Sequence, residues 1–564
     1  MTVAATSGRP RAATTGFRCA FVVIGVVALF VRLWAPGPTA EIYDENLWLQ
    51  RSDNFGRSIA DGHLADASAV MPSQHLVRTT MPGVTTMWAG VVGRQVARLS
   101  GALGISEPIR GPSVESPQAL RAAQGVVSVV CVATLLLLMV LLAKLFDRRT
   151  SLIAGALLAT EPWMAAHSNV LHTDAMVTLF GAVAIFALRW ALHGERSAPP
   201  PSPDDAPRTA WIVVSGVFAG LAMLTKANAV GILAPGFVFL AWSAWRTGRV
   251  RALRTIGAVT ATWLAVTAGA CLVLWPALLI SPARQIDAVL QASSQVGRER
   301  GRFFGGTVHQ GFVPQFYVVA LAFRLVPWVL ATCVMGAVTG LAGLVRGALR
   351  RRSDPGVFER LLIPAWLVVI PIPYAVVISA SRFGYDRYAQ ALVPFGVVAG
   401  ALVLARASRR LTALRRASTG ALVSGGLALT LASAAVPISQ APYGINYASP
   451  LFGGQRAAVR WIPSGSQGTN AALDARLSKR LGGRCDGVTV VSLNPLPAST
   501  SCGTAVLADG PTVMAQADYA MTDIGFRQLH LQPWFRKWLA DHGERIDVAR
   551  VDGVVFGELW RLDH

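Results

Sequence analysis

Long apolar runs alternate with short polar segments over the first three quarters of the chain. A helix needs about 20 consecutive apolar residues to cross the hydrocarbon core of a bilayer. Eleven runs approach or exceed that length, near residues 17–34, 121–144, 150–166, 170–192, 209–225, 228–246, 254–280, 315–346, 361–380, 386–406 and 419–438. The pattern predicts an α-helical, multi-pass membrane domain of about 11 transmembrane helices over residues 1–438.

The remainder of the chain has a different pattern. Residues 488–491 and 504–507 are short apolar runs typical of buried strands, an Asp552-Gly553 pair indicates a hairpin, and a helix is expected through 530–541. These features predict a small α/β domain over residues 439–564. Inside the membrane domain, residues 36–120 form one unusually large loop, the first that is expected outside the cytoplasm. It carries a short amphipathic stretch at Pro82–Trp88, which is predicted to lie along the membrane interface.

The composition supports the membrane assignment. The chain is 53% hydrophobic and only 14% charged, against roughly 25% charged in soluble domains. Its net charge of +21 is concentrated in short loops: Arg9, Arg11, Arg18; Lys144, Arg148, Arg149; Arg246, Arg249, Arg251, Arg254; Arg346, Arg350, Arg351, Arg352; Arg406, Arg409, Arg410, Arg415 and Arg416. The cations fall in every second loop between the predicted spans, as the positive-inside rule requires. They therefore indicate topology and not nucleic-acid binding. The N-terminus is expected in the cytoplasm and, with an odd span count, residues 439–564 outside it.

The cysteines fit the same arrangement. Two of the six, Cys485 and Cys502, lie in the C-terminal part, which is expected in the compartment where disulfides persist, and we predict a bridge between them. No Cys and His spacing indicates a zinc site. The sequence therefore predicts no definite cofactor or metal site and leaves a divalent metal open.

Ionisable residues recur at the span ends that are predicted outside. Asp44 and Glu45 follow the first span, and a carboxylate held there can act as a general base on a substrate that arrives from outside. The alternative is an interfacial ion pair of these carboxylates with Arg32 or Arg51.

Two cationic positions suggest a phosphate site. Lys226 is one of only four lysines beside 47 arginines, and it sits at a span end where it can hold a phosphate oxygen or anchor the helix in the interface. Arg387 and Tyr388 can clamp a phosphate, or Arg387 can pair with Asp386 or Asp174.

The set of motifs resembles a known family. The motifs are Asp44-Glu45, Pro82–Trp88, His172–Ala175, Leu224–Lys226, Asp386–Tyr388 and the segment Asn446–Gly454. They are similar to glycosyltransferase family 39, which comprises protein O-mannosyltransferases and lipid A aminoarabinose transferases of the GT-C fold. The last segment resembles a bacterial subgroup with an extracytoplasmic tail.

The resemblance implies an inverting glycosyl transfer outside the cytoplasm. The donor would be a polyprenyl-phosphate sugar in the membrane lipid, and the acceptor a protein hydroxyl or an envelope glycan or lipid. Asp44, beside Glu45, would be the general base. The positions expected near the donor phosphate or the acceptor are His172, Asp174, Lys226, Arg382, Arg387 and Tyr388. The transferred unit would be a hexose or a pentose.

Two other functions fit a polytopic chain. A transporter or flippase of a lipid-linked glycan would share the helices and cations, although it should carry inverted repeats and interrupted helices at the midplane. The sequence shows neither pattern, and its ionisable residues recur at one face of the membrane. A non-catalytic homologue that serves as an assembly partner would not need Asp44 and Arg387.

Overall fold

The structure is a computed structural model. It describes residues 9–34, 42, 44–68, 82–106, 116–194, 208–246, 253–295, 301–350, 365–380, 384–413, 419–464, 469–493, 502–529 and 533–563.

Helices form most of the described chain. Their bounds are α1 Arg9–Leu33, α2 Asp44–Ala60, α3 Val84–Ala102, α4 Pro117–Leu145, α5 Arg148–Thr160, α6 Pro162–His167, α7 Asp174–His193, α8 Thr209–Thr225, α9 Val230–Arg246, α10 Leu253–Leu274, α11 Pro276–Ile280, α12 Pro282–Gln295, α13 Phe316–Arg324, α14 Pro327–Arg350, α15 Pro371–Ala380, α16 Val393–Ala413, α17 Thr419–Gln440, α18 Gly454–Trp461, α19 Asn470–Arg480, α20 Pro511–Met514, α21 Ile524–Leu529 and α22 Pro533–His542.

Several of these helices can cross a membrane. Within the described residues, seven stretches are long and apolar enough, namely Thr15–Leu33, Pro117–Leu145, Asp174–His193, Ala227–Arg246, Arg254–Leu274, Pro327–Arg346 and Asp386–Thr412. Two shorter apolar helices lie at Thr209–Thr225 and Ala365–Ser379. A helical, multi-pass membrane protein is thereby confirmed, while the number of eleven spans stays a prediction.

Some predicted spans are interrupted near their ends. The run 254–280 divides at Trp275, because Pro276 begins the short helix α11, and the run 315–346 divides before Pro327, which begins α14. Proline has no N–H and fixes φ, so it is tolerated in the first turn of a helix but ends a helix that precedes it. The run 150–166 also breaks, where Glu161 caps α6 by accepting from Met164 N at 2.8 Å.

The membrane domain is built around α7. This helix is enclosed by its neighbours, and nearly all its side chains are buried. It packs closely on α8 and α4. Since α7 begins at Asp174, its first carboxylate is held inside the protein at the end of the central helix.

The large loop after α1 is mostly helical where it is described. The stretch Pro82–Trp88, predicted to lie in the interface, forms the start of α3, and Trp88 Nε1 donates to the Leu274 carbonyl oxygen at 2.9 Å. The hydroxyls of Thr85 and Thr225 lie 2.6 Å apart. These contacts fix the start of α3 against the ends of α10 and α8.

The C-terminal part contains a five-stranded sheet in the order β4-β3-β5-β7-β6. Its strands are β3 Thr489–Ser492, β4 Thr504–Leu507, β5 Tyr519–Asp523, β6 Gly543–Val551 and β7 Val554–Leu562. The first two strands of the chain, β1 Arg302–Phe304 and β2 Thr307–His309, form a separate hairpin in the membrane domain. Strand β3 pairs in parallel with β4 and β5, whereas β7 is antiparallel to β5 and β6. The predicted α/β character is confirmed.

Local sequence signals account for this domain. Val490 and Val491 alternate between two apolar clusters, one against α19 and the other against α22, as the period of two in a strand requires. Asp552 and Gly553 adopt φ of 45° and 78° in the β6–β7 turn, the left-handed conformation for which an Asp-Gly pair is suited. Cys485 and Cys502 are joined by a disulfide beside the first cluster.

Candidate active site

Asp44 and Glu45 form the first turn of α2, where acidic side chains face the positive end of the helix dipole. Glu45 is completely buried. Its carboxylate accepts from Ile42 N at 2.8 Å, from Leu171 N at 2.6 Å and from Gln124 Nε2 at 2.9 Å. Glu45 thus ties the start of α2 to α4 and to the segment that precedes α7.

Asp44 points the other way and keeps one quarter of its side chain exposed. Its Oδ2 lies 3.2 Å from His172 Nε2 and 3.4 Å from Arg387 Nη2. Within the described parts of the chain, Oδ1 has no hydrogen-bond partner. One oxygen is therefore anchored, and none of the described residues binds the other.

The charges around Asp44 decide its protonation. Burial favours the neutral acid, but the hydrogen bond from His172 and the charges of the Arg387 and Arg51 guanidinium groups outweigh it and hold the pKa of Asp44 below its usual range. Asp44 is consequently ionised at neutral pH, as a proton acceptor must be.

Asp174 is the buried centre of the cluster. Its Oδ1 accepts from Lys226 Nζ at 2.5 Å, and its Oδ2 lies 2.9 Å from His172 Nδ1 and 3.3 Å from Arg387 Nε. A buried charge needs such partners to offset its lost hydration. Asp174 therefore holds His172 between two carboxylates and places both cations beside Asp44.

Lys226 is positioned from several sides. It ends α8 in extended backbone, where it forms a β-bridge with Pro82. Its ammonium lies 4.1 Å from the ring centroid of Tyr388, and the Arg387 guanidinium lies 4.3 Å from that of Tyr385. The aromatic rings face the cations, which is a favourable arrangement.

A second buried ion pair supports Arg387 from behind. Arg387 N donates to Asp386 Oδ1 at 2.8 Å, and Asp386 Oδ2 accepts from Arg324 Nε at 2.5 Å. Arg324 also donates to the carbonyl oxygens of Tyr447 and Pro463, at 2.8 Å each. Arg324 thereby connects the site to the chain segment that leads into the C-terminal domain.

Sequence reasoning missed Arg324. The available signal was its position: it precedes the α14 span on the side predicted outside, where the positive-inside rule disfavours arginine.

The Trp48 ring packs against the His172 ring. The two rings meet edge to face with centroids 6.4 Å apart. Gly83, with φ of +64°, lies directly against the Trp48 ring, and a Cβ at this position would collide with it. A glycine is required here both for the backbone conformation and for the close approach of the ring.

The structure brings six of the predicted site residues into one cluster, namely Asp44, His172, Asp174, Lys226, Arg387 and Tyr388. Glu45 adjoins this cluster, with its carboxylate turned to amide donors. Arg382 lies outside the described residues. Within the described chain, no group of three His, Cys, Asp or Glu side chains has the arrangement of a metal site. The catalytic and binding roles of these residues stay predictions.

Comparisons with known proteins agree with this architecture. Residues 97–290 match the family model of the dolichyl-phosphate-mannose-protein mannosyltransferases. This segment includes His172, Asp174 and Lys226. No curated protein matches the chain in sequence.

Solved structures share the fold over almost the whole chain. Apo ArnT from Cupriavidus metallidurans is 15% identical, with a TM-score of 0.52 over 97% of this chain and 98% of that one. The oligosaccharyltransferase AglB from Archaeoglobus fulgidus, in complex with an inhibitory peptide and a dolichol-phosphate, is 13% identical, with a TM-score of 0.51 over 96% of this chain and 74% of that one. The expected fold is confirmed: the chain is a multi-pass membrane protein of the GT-C fold, and its residues 97–290 are similar to the protein mannosyltransferases.

Proposed function

We propose that this protein is an inverting glycosyltransferase that moves a sugar from a polyprenyl-phosphate donor to an acceptor hydroxyl outside the cytoplasm. The observation that carries the proposal is Asp44, whose Oδ1 is bound by none of the described residues, in one charged cluster with Arg387 and, through Asp174, with Lys226. The dolichol-phosphate in the AglB complex supports a lipid-linked donor.

The cations would receive the donor phosphate. Lys226 is buried at the end of α8 and Arg387 is buried shortly before α16, and both are paired with carboxylates. As the bond from the sugar to the phosphate breaks, the phosphate oxygens gain negative charge. Cations that are already in place stabilise this charge in the transition state more than in the ground state.

Asp44 would act on the acceptor. Its open Oδ1 takes the proton of the acceptor hydroxyl while the hydroxyl oxygen forms a bond to the anomeric carbon. The same displacement breaks the carbon–oxygen bond to the phosphate, and polyprenyl phosphate leaves with the electron pair. A single displacement inverts the anomeric configuration.

His172 and Asp174 would position this base. His172 bridges Asp44 and Asp174 through its two ring nitrogens, so it holds the anchored oxygen of Asp44 in place. Glu45, turned to Leu171 N, would fix the start of α2 instead of exchanging a proton.

The sugar would be a hexose or a pentose. The match of residues 97–290 to a mannosyltransferase family model favours a hexose. The acceptor would be a protein hydroxyl or an envelope glycan or lipid. The direct test is transfer of radiolabel to membrane acceptors from polyprenyl-phosphate mannose and from a polyprenyl-phosphate pentose. A flippase would move the labelled lipid across the membrane without cleaving it.

Removal of either donor-site cation should weaken donor binding. We expect Lys226→Met and Arg387→Met each to lower the affinity for undecaprenyl phosphate by about 10- to 100-fold, because a hydrogen bond to a charged group contributes roughly 1.5–3 kcal/mol. Isothermal titration in nanodiscs measures this change.

Arg409→Met is the matched control for the two cation variants. Arg409 pairs with Asp147 in a loop predicted to face the cytoplasm, so this variant should bind undecaprenyl phosphate as the parent does. Parental affinity in both Lys226→Met and Arg387→Met would reject the phosphate site.

We also propose that the N-terminus lies in the cytoplasm and the C-terminal domain outside it. In a variant that keeps only Cys485 and Cys502, a membrane-impermeant maleimide added to intact cells should label the domain only after reduction. The Cys485→Ser/Cys502→Ser variant is the control for background. Labelling without reductant would argue against a bridge in the cell. If the two cysteines stay protected from the maleimide after reduction, the result would indicate that the domain lies on the cytoplasmic side.

A further inference from the structure

Arg51 is a buried cation whose charge acts on Asp44 but to which the proposed transfer assigns no ligand. It lies on α2 seven residues after Asp44, which places it on the same face of the helix two turns away. Only 3% of its surface is exposed, and its guanidinium lies 5.0 Å from the centroid of the Trp48 ring. Among the described residues, neither Nε nor Nη1 of Arg51 has a hydrogen-bond partner.

Burial of the Arg51 guanidinium costs free energy of folding. A buried guanidinium without hydrogen bonds loses its hydration and receives little in return. Burial lowers the pKa of Arg51 to about 10, and the charge of Asp44 opposes this effect. The stacking on Trp48 offsets part of the cost, because cations favour an aromatic face, but it satisfies none of the N–H groups.

Arg51 is distinct from the first cation pair. Lys226 and Arg387 are both bound to Asp174, whereas Arg51 makes no ion pair within the described chain. Seven residues of helix correspond to about 10 Å between the Cα atoms of Asp44 and Arg51. Arg51 is therefore a third cation near Asp44, and unlike Lys226 and Arg387 it makes no ion pair with Asp174.

We infer that Arg51 is a second oxyanion-binding position of the active site and takes a phosphate-type group of a substrate. The inference rests on the proposed function. The guanidinium stays charged, and two of its three donor nitrogens have no hydrogen-bond partner among the described residues, so it can bind an oxygen of a phosphate or carboxylate. The group has two sources: the second phosphate of a polyprenyl diphosphate donor, or an anionic group of the acceptor.

The test combines lipid binding with transfer. Wild type, Arg51→Met, Arg51→Lys and the control Arg57→Met are placed in nanodiscs, and their affinities for undecaprenyl phosphate and undecaprenyl diphosphate are measured. Transfer is measured from saturating radiolabelled donor to membrane acceptors. Arg57 lies on the same helix but is 60% exposed and paired with Asp53, so its replacement should change neither quantity.

The two sources give different results. If the donor supplies the group, wild type binds the diphosphate at least about 10-fold more tightly than the monophosphate, and Arg51→Met removes the difference. If the acceptor supplies it, wild type and Arg51→Met bind both lipids alike, but Arg51→Met lowers transfer about 10-fold or more. The labelled wild-type product then binds to an anion exchanger. In either case Arg51→Lys, which keeps the charge, should retain part of the wild-type lipid preference or of the wild-type transfer. This result would show that the loss in Arg51→Met is not caused by misfolding.

Other results overturn the inference. If wild type binds and transfers but Arg51→Met matches it in both lipid affinities and in transfer, Arg51 has no ligand and only the inference fails. An uncharged product together with equal affinity for the two lipids also rejects it. If wild type binds neither lipid and transfers no label, the proposed function fails and the inference fails with it.

Discussion

Replacement of Asp44 by asparagine should lower turnover by about 100- to 10,000-fold, the usual contribution of a general base. Asparagine keeps the shape of the side chain, and its carbonyl oxygen can still accept from His172 or Arg387. The affinity for undecaprenyl phosphate should therefore stay close to that of the parent, because Lys226 and Arg387 keep their partner Asp174. Steady-state transfer and lipid titration on the same nanodisc preparation measure the two quantities.

The control for this change lies on the same helix. Asp53 is a buried acid of α2 that pairs with Arg57 and Arg94, far from the anchored oxygen of Asp44. Asp53→Asn should weaken the packing of α2 on α3 but leave a folded enzyme with parental turnover. Near-parental turnover of Asp44→Asn itself would show that another group takes the proton.

The pH profile gives an independent test of the same assignment. The pKa of Asp44 is held below its usual range, so the base stays ionised as pH falls through about 4, where an ordinary aspartate becomes protonated. The acid limb of kcat/KM should accordingly lie below pH 4. Arg387→Met removes one of the charges that lower this pKa, so its acid limb should move upward.

The same shift links Asp44 to stability. Because the folded pKa is lower than the unfolded one, ionised Asp44 stabilises the fold at any pH above the unfolded value of about 3.9. This contribution is lost as pH falls through the folded pKa. As pH falls through the folded pKa, the stability of Asp44→Asn should therefore fall less than that of the parent, which thermal unfolding at several pH values measures.

The sequence predicted the parts of the fold that depend on local signals. The strands β3 and β4 and the Asp552-Gly553 turn follow from short runs and turn chemistry. The side-chain pairs were harder. Asp174 and Lys226 are separated by 52 residues, and no periodicity in the sequence specifies which ends of α7 and α8 meet.

The sequence also left open which partner each charged group takes. It offered Asp386 and Asp174 as alternatives for Arg387, yet the structure uses both: the Asp386 side chain accepts from the Arg387 backbone, and Asp174 faces its guanidinium. Arg51 was considered only as a partner of the Asp44-Glu45 pair. Nε and Nη1 of Arg51 are buried without a hydrogen-bond partner among the described residues. This is a tertiary property that depends on where Trp48 lies, and the pattern along the sequence does not contain it.

Loss of Arg324 should have the largest effect on stability. Arg324→Gln leaves the buried Asp386 carboxylate without its cation, and breaking a buried pair from one side typically costs about 3–5 kcal/mol. Two donor bonds to the carbonyl oxygens of Tyr447 and Pro463 are lost as well. We expect a lower unfolding temperature and faster proteolysis of the chain between the membrane domain and the C-terminal sheet.

The same change should reach the donor site through Asp386. The carboxylate that accepts from Arg387 N would lose its own anchor, so the Arg387 segment should be less well held and the affinity for undecaprenyl phosphate should fall. Arg346→Gln is the control, because Arg346 is an exposed residue near the far end of α14.

A double-mutant cycle with Asp386→Asn separates this coupling from a general loss of stability. Removing both partners of a buried pair avoids the unpaired charge, so the double variant should lose less free energy of unfolding than the sum of the single changes. Strict additivity, or parental lipid affinity in Arg324→Gln, would show that Arg324 holds the C-terminal segment without positioning Arg387. Non-additive loss of both stability and lipid affinity would show that the Arg324–Asp386 ion pair positions Arg387 and also couples the donor site to the segment that leads into the C-terminal domain.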